Sequence, residues 1–436
     1  MSEPEALAEP ADPADPTDPT DPTDPARAER PPLEVADLVR AHGAAFLARH
    51  GAGLSAAQRR ALADVAACRT AALGGHVHRC GACGHEAIAY NSCRNRHCPK
   101  CQGSRTAAWL QREASFLLPV AYYHVVFTLP AAVAEVVWQN HRVGYTLLFR
   151  AAQESLREVA ANPKHLGAQV GLLAVLHTWG QDLHYHPHLH VVATGGGLAC
   201  APDGAVAAPP RWRACRPGFF LPVRVLSRVY RGKYLAGLRQ AYAAGTLTFH
   251  GDLAGRAEPA AFAAWVRDQY RSDWVVYAKA PFGGPEQVLK YLARYTHRVA
   301  LSNRRLLRLD GDEVAFAAKD YAAGGQRRVV RLRAEEFLRR WVQHVLPRGF
   351  VKIRHYGLLA NRGRTERLAL CRALLAVWTV VQVVVGALGE AGAAGGGREP
   401  CPACGFEQWR RVAELPRAAS GVQERAWAGV GGPDTS

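Results

Sequence analysis

Six of the eleven cysteines crowd between Cys68 and Cys101, and no other stretch restricts the fold as tightly. Within it, Cys80-x2-Cys83 and Cys98-x2-Cys101 are separated by fourteen residues, and each tight turn aims two thiolates at one ion. That spacing predicts a closed structural Zn²⁺ site on Cys80, Cys83, Cys98 and Cys101, with Cys93 the first alternative ligand. The roles of Cys68, His78 and His97 stay open. Cys401 and Cys404 stand apart near the C-terminus and supply half a site. Cysteines in this company, in a chain of 436 residues, indicate metal in a reducing compartment rather than a secreted disulfide scaffold.

Charge then narrows the class of partner. The formal net charge is +17, yet the first thirty residues carry nine acidic and two basic side chains, a net of −7. The remaining body is therefore +24 and arginine-rich, which suits a polyanion such as DNA. Proline every third residue from Asp12 to Pro25 forbids a helix, so residues 1–30 are expected to be a disordered acidic leader. The N-terminus shows no apolar signal segment. The apolar run Ala373–Leu388 is too short to span a bilayer and contains Thr379 and Gln382, so it is read as a buried helix and no membrane partner is expected.

Strand and helix patterns interleave. Leu33–Arg69, Gly103–Phe116, Ala131–Ala161, Pro222–Ala243, Glu286–Ala300 and Glu335–Val345 read as helical. Tyr122–Pro130, Leu172–Gly180, Pro187–Thr194, Asp273–Lys279, Ser302–Leu309 and Glu313–Ala317 read as strands, with Gly195-Gly196-Gly197 ending the third. A close strand pair around a histidine-rich turn indicates an α+β sheet domain rather than a doubly wound one.

The chemistry concentrates in His186-Pro187-His188-Leu189-His190. On a strand, alternate side chains share a face, so His188 and His190 point one way while Leu189 enters the core. Two imidazoles on a rigid face suit a divalent ion. A hairpin folding back at Trp179-Gly180 makes Gln181 the candidate third ligand, with His177, His184 and His186 as competitors, and Mg²⁺ or Mn²⁺ as the ion. Tyr291 and Tyr295 stand four residues apart on an expected helix, so their hydroxyls share a side. Lys290, Arg294, His297, Arg298, Arg304 and Arg305 make that region cationic, which favours phenolate and the approach of DNA. Arg94, Arg96, Lys100 and Arg105 give the cysteine module a comparable basic surface. A metal beside paired tyrosine nucleophiles is equipment for cutting and rejoining single-stranded DNA.

These segments together resemble the two-tyrosine HUH transposases of rolling-circle insertion sequences, the insertion-sequence-ninety-one group. The carriers are residues 68–76 (CRTAALGGH), 90–101 (YNSCRNRHCPKC), 127–130 (FTLP), 186–190 (HPHLH) with 194–197 (TGGG), 291–300 (YLARYTHRVA), 302–305 (SNRR) and 355–361 (HYGLLAN). The resemblance spans roughly residues 60–365. It implies a ferredoxin-like HUH endonuclease palm with an N-terminal zinc-binding domain, His188 and His190 as the metal pair, and Tyr291 and Tyr295 as catalytic nucleophiles. The expected division is a leader (1–30), a helical and zinc-binding domain (31–115), a catalytic domain (116–365) and a C-terminal helix and poorly ordered tail (366–436). The implied activity is transposition of DNA through a 5′-phosphotyrosine at transposon ends and target, in the bacterial cytoplasm and associated with the nucleoid. The nearest alternatives are an HUH replication initiator or relaxase, and a non-enzymatic zinc-ribbon DNA-binding protein.

Overall fold

The computed structural model describes residues 32–278, 287–288, 299–320, 325–375 and 400–417, with the backbone alone of 102–108. The leader 1–30, nearly all of the expected helix Glu286–Ala300 and most of Ala373–Leu388 lie outside the described residues. Along the chain run α1 (Val35–His50), α2 (Ala56–Ala67), β1 (Gly75–Cys80), β2 (Glu86–Tyr90), α3 (Pro99–Ala114), β3 (Tyr122–Thr128), α4 (Ala131–Gln139) and α5 (His141–Ala161). There follow β4 (Ala168–Trp179), β5 (Tyr185–Ala199), β6 (Trp212–Ala214), α6 (Val223–Ala243), α7 (Pro259–Asp268) and β7 (Val276–Ala278). The last described elements are β8 (Leu306–Asp310), β9 (Glu313–Asp320), β10 (Gln326–Arg333), α8 (Ala334–Gln343), β11 (Ile353–Gly357), α9 (Arg364–Leu374) and β12 (Trp409–Leu415).

The strands form three antiparallel sheets, so the α+β reading holds. The largest runs β11-β4-β5-β3-β7, with β6 paired to β5; the others run β10-β9-β8 and β12-β1-β2. Two sequence expectations are corrected here. The expected helix Ala131–Ala161 breaks at Asn140, whose side-chain amide donates to the carbonyls of Val136 and Thr248 and thus serves two segments at once. The glycine triplet does not end β5, which continues to Ala199. A Cβ at Gly197 would lie 2.0 Å from the Gln169 carbonyl oxygen, so that glycine marks close approach of two backbones. Among the described residues no helix is long and apolar enough to cross a membrane.

Strand alternation divides the large sheet between two cores. Val125, Phe127, Leu189, Val191, Leu172 and Leu176 face Leu148, Phe149, Tyr230 and Leu235 of α5 and α6. The opposite face buries Tyr122, Leu173, Val175 and Val192 against Trp109, Leu118, Leu358 and Leu368. Each buried aliphatic chain contributes roughly 1.5–3 kcal/mol over its exposed state. A third core crosses the boundary expected at residue 115. In it Leu38, Phe46 and Leu62 of α1 and α2 pack with Val314, Phe316, Phe337 and Trp341 of β9 and α8. The α1 entry is tied in the same way: the Val35 N–H donates to Asn303 Oδ1 at 3.1 Å. Glu34 just before the helix forms a buried ion pair with Lys100.

This third core also holds the turn between β4 and β5. Three successive carbonyls of that turn accept hydrogen bonds from it: Gln181 from Arg305, Asp182 from Arg340 and Leu183 from His344. The Leu183 side chain, at a left-handed φ of 64°, is buried in the same core. His344 Nε2–H donates to Leu183 at 3.1 Å, leaving Nδ1 to accept from the Thr178 hydroxyl at 3.1 Å. Burial pulls the His344 pKa down to about 3.

Two outcomes follow. An unfolded histidine takes up protons below about pH 6.5 while buried His344 resists them, so stability declines as pH falls from about 6.5 toward 3. Urea unfolding at pH 7 and pH 5 should show a drop of about 2 kcal/mol from this group, absent in His344→Gln. Lys100→Met strands the Glu34 carboxylate and should cost about 3–5 kcal/mol in the same assay.

Candidate metal and DNA-processing site

The register of β4 on β5 places His177 directly opposite His188, and Val175 opposite His190. On the other side β3 sets His124 opposite Val192 and Val126 opposite His190. Alternation then directs His124, His177, His188 and His190 to one face of the sheet, opposite the face of Leu189 and Val191. One ring nitrogen from each of His177, His188 and His190 lies within 4.8 Å of the other two. His177 thus stands where the sequence reading put Gln181. Gln181 falls in the turn, beyond the Trp179–Tyr185 pair, with its carbonyl held by Arg305.

Hydrogen bonding fixes much of the triad's chemistry. His188 Nδ1–H donates to the His186 carbonyl at 2.7 Å, so His188 Nε2 carries a lone pair. That nitrogen is 3.1 Å from His190 Nε2, and two nitrogens on one ion at about 2.1 Å are about 3.0–3.4 Å apart. His190 Nδ1 is 2.9 Å from Nε2 of His124, whose ring stacks on it. With Nδ1–H given to His124, both Nε2 lone pairs converge and the rings form a ligand set. With Nε2–H instead, the imidazoles close on themselves as a hydrogen-bonded chain. Trp179 stacks on His177 at 4.5 Å and covers its outer side. The sequence reading missed His124, although its place between core-facing Tyr123 and Val125 signals the same face.

Tyr291, Tyr295, Arg294 and Arg298 lie outside the described residues. Their described flanks do not. Val288 is fully buried in the core on the imidazole face of the sheet. Val299 lines a pocket with Trp179, His344 and Lys352, and burial pulls the Lys352 ammonium down to about 7.

The cysteines form two quartets rather than the one expected. Cys68, Cys93, Cys98 and Cys101 bring their sulfurs within 4.8 Å of one another, and so, separately, do Cys80, Cys83, Cys401 and Cys404. The grouping of Cys80 and Cys83 with Cys98 and Cys101 is therefore corrected. Cys80 and Cys83 sit at the tip of the β1–β2 hairpin, about 17 Å of strand away from its base. Cys98 and Cys101 open α3 beside Cys68, at the end of α2, in the third core. In this quartet hydrogen bonds, first from Cys68, hold Cys101 as thiolate, while Cys98 and Cys93 are pushed up, first by Cys101. Four sulfurs this close to one another are a set that a dication would let ionise completely.

The expected DNA contacts divide. Lys100 is buried against Glu34, Arg96 donates to the carbonyls of Phe350 and Pro347, and buried Arg305 donates to those of Ala317 and Gln181. These three are corrected, because guanidinium or ammonium groups committed inside the protein do not meet a phosphate. Arg94 is exposed and Arg304 half-buried.

Comparison with known proteins identifies the family. The family described as "Putative transposase" matches residues 171–367, and that described as "Transposase zinc-binding domain" matches residues 38–129. The putative transposase y4qJ of Sinorhizobium fredii (strain NBRC 101917 / NGR234) is 52% identical over 342 residues, covering 78% of this chain and 84% of the relative. The transposase for insertion sequence element IS801 of Pseudomonas savastanoi pv. phaseolicola is 26% identical over 317 residues, covering 71% of this chain and 72% of the relative. No solved structure gives a significant match. With a relative 52% identical over 78% of this chain, and both segments matched in order, the chain belongs to the IS91 family of transposases and carries that family's N-terminal zinc-binding domain.

Proposed function

We propose that this transposase nicks and rejoins single-stranded DNA through a 5′-phosphotyrosine, with Tyr291 and Tyr295 as nucleophiles on a ferredoxin-like HUH palm. The observation that carries this reading is the imidazole triad, whose His188 lone pair is fixed toward His190 at 3.1 Å. His177, His188 and His190 are the residues that would hold Mg²⁺ or Mn²⁺, and His177 takes the place first given to Gln181. The bound ion would polarise the scissile phosphate and stabilise its added charge. His124 keeps the His190 tautomer that turns Nε2 toward the ion. The described flanks of the tyrosine segment support this reading: Val288 is buried in the core on the imidazole face of the sheet, and Val299 lines a pocket with Trp179.

In the proposed step a tyrosine oxygen bonds to phosphorus, the phosphorus–O3′ bond breaks, and the departing oxygen takes a proton to become a 3′-hydroxyl. The phosphotyrosine conserves the bond energy, so a DNA 3′-hydroxyl reverses the step at a new junction without ATP. A second tyrosine allows another cleavage while the first end stays attached. Cys68, Cys93, Cys98 and Cys101 hold a structural Zn²⁺ that fixes α2 to α3. Exposed Arg94 and half-buried Arg304 are the described cations proposed to meet phosphates, with Arg294 and Arg298 beside the tyrosines.

A nicking assay on end-labelled single strands with Mn²⁺ tests the chemistry. The covalent protein–DNA band should vanish in the Tyr291→Phe/Tyr295→Phe double variant, and its persistence would reject the nucleophile assignment. DNA binding without any cleavage by the wild-type chain would favour a non-enzymatic DNA-binding protein. Replacing His124 with Ala should raise the Mn²⁺ concentration for half-maximal nicking about 10- to 100-fold and leave the rate at saturating metal largely intact. His177→Ala should impair Mn²⁺ dependence more than Gln181→Ala; the reverse order would restore Gln181 as third ligand.

A further inference from the structure

We propose that Cys80, Cys83, Cys401 and Cys404 hold a second zinc ion, which clasps the C-terminal strand β12 onto the β1–β2 hairpin of the N-terminal module. Cys401 and Cys404 lie outside both matched segments, 38–129 and 171–367. Four thiolates at about 2.3 Å from one Zn²⁺ are about 3.8 Å apart. The Cys80–Cys404 and Cys83–Cys401 sulfurs are each 3.6 Å apart, and all four fall within 4.8 Å.

The two turns are also built alike. In each, the first cysteine's N–H donates to the carbonyl five residues on: Cys80 to His85 at 2.8 Å, Cys401 to Phe406 at 2.9 Å. In each, the glycine four residues on donates back to that cysteine's carbonyl, Gly84 at 3.2 Å and Gly405 at 2.7 Å. Those glycines have left-handed φ values of 77° and 73°, which a side chain would strain. Both sequences run Cys-x-Ala-Cys-Gly. Such a paired knuckle presents two thiolates from each side of a tetrahedron.

The flanking chain holds the two knuckles in register. Gly81 N–H donates to the Gln408 carbonyl at 3.0 Å, and β12 pairs antiparallel with β1 from Cys80–Trp409 to Gly75–Leu415. The ion would thus lock the open end of a three-stranded ribbon whose third strand comes from more than three hundred residues later. Cys83 and Cys404 are exposed, whereas three of the four cysteines of the other quartet are buried, so this ion should exchange first.

Metal analysis of the purified full-length protein tests the clasp. Two zinc equivalents per chain are expected, with one leaving faster to a chelator and exposing Cys401 and Cys404 to iodoacetamide. The Cys401→Ser/Cys404→Ser variant should retain one equivalent and become sensitive to trypsin at Arg410 and Arg411. A variant that instead unfolds still leaves the wild-type measurement decisive. A single equivalent in the wild type, alkylation of Cys401 and Cys404 while two ions stay bound, or two equivalents in the double variant would overturn the proposal.

Discussion

The antiparallel register of β4 on β5 is the constraint on which the rest of this structure depends. It sets His177 across from His188, and a slip of β5 by one residue would send His188 and His190 to the face now filled by Leu189 and Val191, away from His177. A hairpin turn alone does not supply that precision. Here Arg305, Arg340 and His344 bind three consecutive turn carbonyls, and Leu183 is sunk in the adjoining core. The clamp adjoins the triad: His344 also accepts from the hydroxyl of Thr178, next to His177, and its ring meets that of Trp179, which stacks on His177.

That clamp explains why the molecule is not a string of modules in chain order. The helices α1 and α2 precede the cysteine cluster but share their core with β9 and α8, more than two hundred residues later. The quartet Cys68, Cys93, Cys98 and Cys101 lies against this same core, so a metal there would stabilise the support of the histidine-bearing hairpin as well as its own loop. Glu34 with Lys100, and Val35 with Asn303, bind the same union with polar groups whose partners are specific.

The arginine-rich composition has two uses that the net charge does not separate. Arg305, Arg340 and Arg96 satisfy backbone carbonyls in the interior, where the planar guanidinium serves several acceptors at once. Others stay at the surface, where they give the body its cationic field. The body's +24 therefore overstates the charge available to a nucleic acid.

Much of the site was legible one residue at a time. Alternation placed His188 and His190 on one face with Leu189 inward, and the Cys-x-x-Cys spacing identified each pair of neighbouring thiols, because both patterns express local backbone geometry. The α+β class and six of the twelve described strands followed from the same periodicities. Partner choice did not. Whether Cys83 meets Cys98 or Cys401, and whether His177 or Gln181 completes the triad, depends on strand register and on contacts spanning more than three hundred residues. The same holds for Lys100 and Arg305, whose charge says nothing of burial until Glu34 and the Gln181 carbonyl arrive beside them. Short-range sterics are written in neighbouring residues; long-range pairing emerges only when the whole chain has chosen which surfaces to bury.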